Sequence, residues 1–136
     1  MLSKLRGAAL TASVCIAIAS GAIAGEGDSC DTERGRRAFV KCLACHTAKP
    51  GAAHLSGPNL WGIMGQPAGS VPGYTYSDAV AKSGVVWDAD SLNEYLANPG
   101  GFLPGTRMAM APVRDPEERA GLACYLSTLA GPAETG

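Results

Sequence analysis

The sequence has no run of basic residues, no strand-length alternation of apolar and polar residues, and no internal repeat. The first absence argues against a nucleic-acid partner, because the arginines at positions 34, 36 and 37 stand among acidic residues. The second argues against a β-sheet and favours an all-α fold. The remaining question is what holds a small helical chain together.

The first 24 residues are interpreted as a secretory signal peptide. Lys4 and Arg6 precede an uncharged stretch that ends in the small-x-small pattern Ala22-Ile23-Ala24. An uncleaved membrane anchor is the alternative, since residues 7–24 could nearly span a bilayer, but the alanine- and glycine-rich composition favours cleavage. We therefore expect a signal peptide at 1–24 and a periplasmic domain at 25–136, with nine basic and twelve acidic residues.

The chain is rich in residues that interrupt regular structure, with 18 glycines and 9 prolines. Apolar periodicity predicts helices at about 31–41, 90–97 and 116–129, with a short one near 77–82. Pro99 should end the third of these, and Gly131-Pro132 the last. Long loops at 47–75 and 99–114 leave little chain for a core, so a large apolar cofactor at the centre would compensate.

The segment Cys42-Leu43-Ala44-Cys45-His46 carries the chemistry. C-x-x-C-H is the attachment signature of haem c: on a helical turn the two thiols and the imidazole share one face, so they can meet one haem edge and its iron. A thioredoxin-like pair would need a βαβ setting, a zinc site would need a further ligand such as His54, and a disulfide would use both thiols. The rest of the chain favours haem.

An iron with one histidine needs a second axial ligand or an open position. Methionine and histidine side chains could serve as this ligand. The candidates besides His46 are Met64, Met108, Met110 and His54. Met108 follows the turn-forming loop Pro104-Gly105-Thr106-Arg107 and lies far from His46 in sequence, as a ligand on the opposite haem face should.

Between about residues 31 and 129 the sequence resembles the class I cytochrome c family, in its mitochondrial and bacterial cytochrome c2 or c550-like branch. The motifs occur in the family's order: residues 35–39, 42–47, 57–60, 72–79, 87, 95–99, 104–108 and 125–126. The resemblance implies a class I fold of three to five helices around one haem, covalently attached through Cys42 and Cys45, with crossing N- and C-terminal helices.

The resemblance also implies residue roles. His46 and Met108 match the axial ligands, and Pro58 matches the proline whose carbonyl fixes the histidine ring. Four further positions match residues near the haem propionates or the methionine sulfur: Tyr76, Trp87, Tyr95 and Thr106. His54 matches a histidine that bridges loops, so we expect a structural role for it. The helix crossing is matched by Gly35, Phe39, Leu122 and Tyr125.

Three features depart from the family or go beyond it. Gln66 and Val80 replace residues that often hydrogen-bond near the haem, so we expect weaker hydrogen bonding around the haem and a correspondingly altered reduction potential. The lysine ring around the haem edge is thin, with Lys41, Lys49, Lys82 and Arg107 as its candidates, so we expect only a moderate dependence of docking on salt. Cys30 and Cys124 could form a disulfide, because the resemblance places their helices together; two free thiols are the alternative.

The function expected from this combination is one-electron transfer by a monomeric periplasmic carrier, not catalysis. Possible partners are a bc1-type complex, a terminal oxidase, a photosynthetic reaction centre or a periplasmic dehydrogenase. A haem enzyme or gas sensor is the alternative, but it needs an open iron position, and no distal acid or base is evident besides His54.

Overall fold

The structure, a computed structural model, describes residues 30–130. The signal-peptide prediction for residues 1–24 and the helix stop at Gly131-Pro132 lie outside these residues. Within them the regular structure is helical, apart from one isolated antiparallel bridge between Pro67 and Val86. The all-α prediction is confirmed. No helix between residues 30 and 130 has the length and apolarity needed to cross a bilayer.

The described chain forms five α-helices and one 3₁₀ helix. They are α1 (Thr32–Phe39), a 3₁₀ helix (Val40–Ala44), α2 (Asp78–Ala81), α3 (Ala89–Ala97), α4 (Pro99–Phe102) and α5 (Pro116–Thr128). The predicted first helix thus tightens into a 3₁₀ turn after Phe39. The predicted long loop at 99–114 was wrong at its start, because Pro99 begins α4 instead of only ending α3.

Side-chain caps explain where these helices begin. Asp31 accepts a hydrogen bond from the backbone N–H of Arg34, and Asp88 forms a reciprocal capping box with Ser91. Asp115 caps α5, and Pro116 lies in the first turn of that helix. Asn98 ends α3 and caps α4, so the proline after it occupies a first-turn position where its missing N–H is harmless.

Helices α1 and α5 cross at two glycines. A Cβ atom on Gly35 would overlap the carbonyl group of Gly121 and lie 2.8 Å from the Cβ atom of Tyr125. Phe39 and Tyr125 pack beside this point with ring centroids 5.2 Å apart, and Leu122 is buried below it. The predicted crossing residues are confirmed, and Gly121 is an additional one that the sequence analysis did not identify.

A disulfide joins Cys30 to Cys124 and ties the start of α1 to the middle of α5. The two Cα atoms are 5.5 Å apart, and the bond closes a loop of 94 residues. The possible pairing of these cysteines is therefore confirmed, and the bond reinforces the same helix pair that the two glycines bring together.

The loop between the attachment motif and α2 is held by polar side chains. Asn59 is buried, and its amide donates to the carbonyls of Lys49 and Ala52. His54 accepts from the backbone N–H of Asn59 at 3.0 Å and lies 2.9 Å, through Nε2, from the carbonyl of Pro72. His54 is thus the loop-bridging residue that was predicted, and its ring must donate from Nε2 because Nδ1 accepts.

Candidate cofactor site

A cavity of about 530 Å³ occupies the centre of the fold. Its walls come from segments spread between Phe39 and Leu126. Apolar side chains from α1, α3 and α5 line it, among them Phe39, Leu92, Leu96, Leu122 and Leu126. A small helical protein that closes its helices around such a volume matches the sequence-based expectation of a large apolar group at the centre.

The attachment motif forms one wall of this cavity. The backbone N–H groups of Cys45 and His46 both bond to the carbonyl of Cys42, at 3.0 and 2.9 Å. This tight turn presents the two sulfurs and the imidazole to the same space, because all three residues line the cavity. Burial raises the pKa of the Cys42 thiol to about 11, so it is a neutral group at physiological pH.

The structure does not support the two alternative interpretations of the motif as a disulfide or a zinc site. Cys42 and Cys45 are not joined in a disulfide. Within residues 30–130 no three His, Cys, Asp or Glu side chains are grouped as a metal ion would require. His54, the fourth ligand that a zinc site would have used, is occupied by its two loop hydrogen bonds.

His46 is fixed in one orientation. Its Nδ1 lies 2.7 Å from the carbonyl oxygen of Pro58, so Nδ1 carries the proton and Nε2 is the nitrogen with a free lone pair. Burial lowers the pKa of His46, which the bond to Pro58 partly opposes. Gly57 packs against the ring: a Cβ atom there would lie 2.7 Å from Nδ1 and closer still to Cε1.

The methionines differ in position. All three described methionines are half-buried against the main hydrophobic core, but only Met108 and Met110 line the cavity, and Met64 does not. Met108 is positioned by Thr106, whose hydroxyl accepts from the Met108 backbone N–H at 3.3 Å. The structure thus places two methionine side chains on the cavity wall.

Four polar residues singled out from the sequence also reach the cavity. Tyr76, Trp87, Tyr95 and Thr106 all line it. The Tyr95 hydroxyl and Thr106 Oγ1 share a hydrogen bond of 2.7 Å, and the Trp87 and Tyr95 rings pack 5.1 Å apart. Burial raises the pKa of both tyrosines, so their hydroxyls stay protonated and able to donate.

Tyr74 is a site residue whose role the sequence analysis missed. Its hydroxyl donates to the carbonyl of Ser56 at 2.6 Å, and its ring meets Tyr76 edge-on at 4.8 Å. Tyr74 therefore links two segments of the cavity wall, its own and that of Ser56. The signal was present as the Tyr-x-Tyr pattern, since residues two apart in an extended segment lie on the same face, so Tyr74 should share the cavity wall with Tyr76.

The two departures from the family pattern also lie at the cavity. Gln66 and Val80 line it, and Val80 is buried. Val80 offers no side-chain hydrogen bond there.

The fold and this site together define a c-type cytochrome. Comparison with known proteins supports this class. Cytochrome c of Guizotia abyssinica is 42% identical over 97 residues, covering 71% of this chain and 87% of that protein. Cytochrome c of Chlamydomonas reinhardtii is 43% identical over the same shares. The solved structure of cytochrome cH from Methylobacterium extorquens matches with a TM-score of 0.68 at 38% identity, covering 72% of this chain and 98% of that one. No protein-family model matches the sequence.

The chain belongs to the cytochrome c family, as a class I c-type cytochrome that carries one covalently bound haem c and transfers electrons. It is an electron-transfer protein and not an enzyme. The residues fit that group. The cavity is lined largely by apolar side chains, and two unpaired thiols and a histidine with a free Nε2 face it.

Proposed function

We propose that this protein is a periplasmic one-electron carrier in which His46 and Met108 are the axial ligands of the haem. The observation that carries the proposal is the hydrogen bond from His46 Nδ1 to the Pro58 carbonyl. This bond fixes the tautomer of His46 and leaves Nε2 free on the side of the cavity, whose lining also includes Met108.

The haem, when bound, supplies the one-electron iron chemistry, and a methionine ligand favours the ferrous state. The chain's own contribution is to hold that group rigidly and keep water away. Leu92, Leu96 and Leu122 are buried on the α3 and α5 side. Rigid surroundings suit electron transfer because neither oxidation state then requires a rearrangement.

The hydroxyl and indole groups on the cavity wall have a second role in this proposal. Tyr76 and Trp87 would donate to a haem propionate, whose charge needs such partners when it is removed from water. Tyr95 and Thr106 would hold the methionine side of the cavity through their 2.7 Å hydrogen bond. Because the hydroxyls remain protonated, they can donate without changing charge near the iron.

The two methionines on the cavity wall provide the test of ligation. We expect Met108→Ala to abolish the weak far-red absorption band of an iron–methionine bond in the oxidised protein and to lower the reduction potential. Met110→Ala is the matched control, since it removes a similar side chain from the same wall and should leave the band in place. The opposite result for the two variants would overturn the assignment.

Covalent attachment is tested separately. The haem of the wild type should resist extraction with acidified acetone, whereas Cys42→Ala combined with Cys45→Ala should yield no haem-bearing protein. Free extraction of haem from the wild type would contradict attachment through these thiols.

The periplasmic location rests on the sequence of residues 1–24. If the segment is cleaved as proposed, mass spectrometry of the mature protein should give an N-terminus at Gly25. A chain that retains Met1 would instead indicate a membrane-tethered form.

The partners that suit such a carrier are a bc1-type complex, a terminal oxidase, a reaction centre or a dehydrogenase. We propose that the carrier binds them as a monomer.

A further inference from the structure

The loop that carries Met108 has little backbone support of its own. This methionine loop, by which we mean residues 104–114, lies between α4 and α5. Thr106, Met108 and Met110 are half-buried and line the cavity, whereas the residues between them are exposed, as in an extended segment. Within the described chain, no backbone–backbone hydrogen bond involves residues 107–112. Such a segment opens easily unless its two ends are held.

The start of the methionine loop is held by two side chains. Thr106 Oγ1 shares a hydrogen bond of 2.7 Å with the hydroxyl of Tyr95 on α3. Arg107 donates to the backbone carbonyl of Thr75. The loop is therefore anchored immediately before Met108.

The end of the methionine loop is held by Arg119 of α5. Its Nη1 donates to the carbonyl oxygens of Val113 and Arg114, at 2.7 and 3.0 Å. Its Nε donates to the side-chain oxygen of Asn93 on α3, at 2.7 Å. The N–H of Val113 donates in turn to the carbonyl of Leu96, at 2.9 Å. One guanidinium group thus joins the end of the loop to two helices.

The charge of Arg119 strengthens this anchor. Its three acceptors are neutral oxygens, and no carboxylate between residues 30 and 130 forms an ion pair with it. Hydrogen bonds from a charged donor are stronger than those between neutral groups. A planar guanidinium group also bonds in several fixed directions at once, which an ammonium group on a flexible stem does not reproduce.

We propose that Arg119 is a positioning residue for the electron-transfer centre. By bonding to the carbonyls of Val113 and Arg114, it keeps the methionine loop closed over the cavity and limits how often Met108 leaves the iron. This inference rests on the proposed ligation by Met108 and adds the contact that maintains it. While both ends of the loop are fixed, the methionine between them stays at the cavity wall.

The test measures how often the loop opens, with the oxidised, haem-bearing protein and imidazole as the probe. Imidazole binds the iron only after the methionine sulfur has left it, and this exchange of one ligand for another moves no electron. At saturating imidazole, the rate at which the far-red iron–methionine band disappears therefore reports loop opening. Arg119→Leu removes the charge and all three hydrogen bonds, so it should raise this rate roughly tenfold or more.

Two controls separate this role from a general effect on stability. Arg34→Leu is the matched control, because Arg34 also contacts the start of α5, through the carboxylates of Asp115 and Glu117 at 3.4 and 2.6 Å. The described hydrogen bonds and ion pairs of Arg34 do not reach the methionine loop. Gly35→Ala disturbs the crossing of α1 and α5 instead. Both controls should keep the imidazole rate within about twofold of the wild type.

Two further variants identify the contacts. Arg119→Lys keeps the charge but loses the fork of donors, so it should raise the rate roughly threefold or more. This milder variant serves as the test if Arg119→Leu does not retain haem. Asn93→Leu removes the acceptor for Nε; it should raise the rate in the wild type and leave it unchanged beside Arg119→Leu, because the donor is then already absent.

The outcomes distinguish the role of Arg119 from the identity of the ligand. Rates within about twofold of the wild type for both Arg119 variants, or an equal rise for Arg34→Leu, would overturn the proposal. A far-red band that survives in Met108→Ala would instead refute ligation by Met108, on which the inference rests.

Discussion

Removing the disulfide between Cys30 and Cys124 is the sharpest test of how the terminal helices are held. The bond closes a loop of 94 residues, for which the chain-entropy relation gives about 4–5 kcal/mol at 25 °C. This is an upper figure, because attached haem already restricts the unfolded chain and measured values are commonly nearer 2–4 kcal/mol. We therefore expect Cys30→Ala to lower the free energy of unfolding by about 2–4 kcal/mol.

The two single variants and the double variant form a cycle that isolates the bond. Either single substitution breaks the same crosslink, so Cys30→Ala, Cys124→Ala and the double variant should lose nearly equal stability. The residual difference at Cys124 should be small, because alanine removes only one sulfur from a half-buried position.

The assay is guanidinium unfolding of the monomeric, haem-bearing proteins, followed by circular dichroism. Thiol titration of the unfolded, unreduced wild type should detect no free thiols. Additive losses in the double variant, a loss below about 1 kcal/mol, or two titratable thiols in the wild type would refute this reasoning.

The remaining predictions concern close approaches and loop hydrogen bonds. Gly57→Ala should disturb His46 and weaken the far-red iron–methionine band, whereas Gly100→Ala, with nothing within 4 Å of its added methyl group, should not; equal spectra would contradict the contact. Gly35→Ala should destabilise the protein by about 1–3 kcal/mol in thermal unfolding, because overlap with Gly121 outweighs the higher helix propensity of alanine; a stabilised variant would show that the helices can separate freely. His54→Leu should cost about 1–3 kcal/mol by removing the acceptor for the Asn59 N–H, while the absorption spectrum stays that of the wild type; loss of the far-red band would instead indicate a role at the iron.

Local patterns were sufficient for the parts of this protein that depend on short sequence spacing. Cys42, Cys45 and His46 predict a haem attachment turn because a helical turn places such positions on one face, and the structure shows that turn. Asp115 and Pro116 mark the start of a helix because capping depends on residues within one turn. The prediction that Pro99 only ends a helix was wrong because Asn98 also caps a new helix, α4, in whose first turn Pro99 lies.

Contacts between distant segments were decided by the tertiary structure. The pairing of Cys30 with Cys124, the contact of Gly35 with Gly121 and the bond from Tyr74 to Ser56 each join segments whose approach no local pattern encodes. The self-neutralisation of charge is of the same kind: Lys41 is in the sequence a free cation beside the motif, and only the packing of α5 against α1 brings Glu118 to it. Sequence by itself determined the cofactor and its attachment, because those follow from neighbouring residues. The character of the surface was decided by the fold, because it depends on which side chains folding leaves exposed and which charges it pairs.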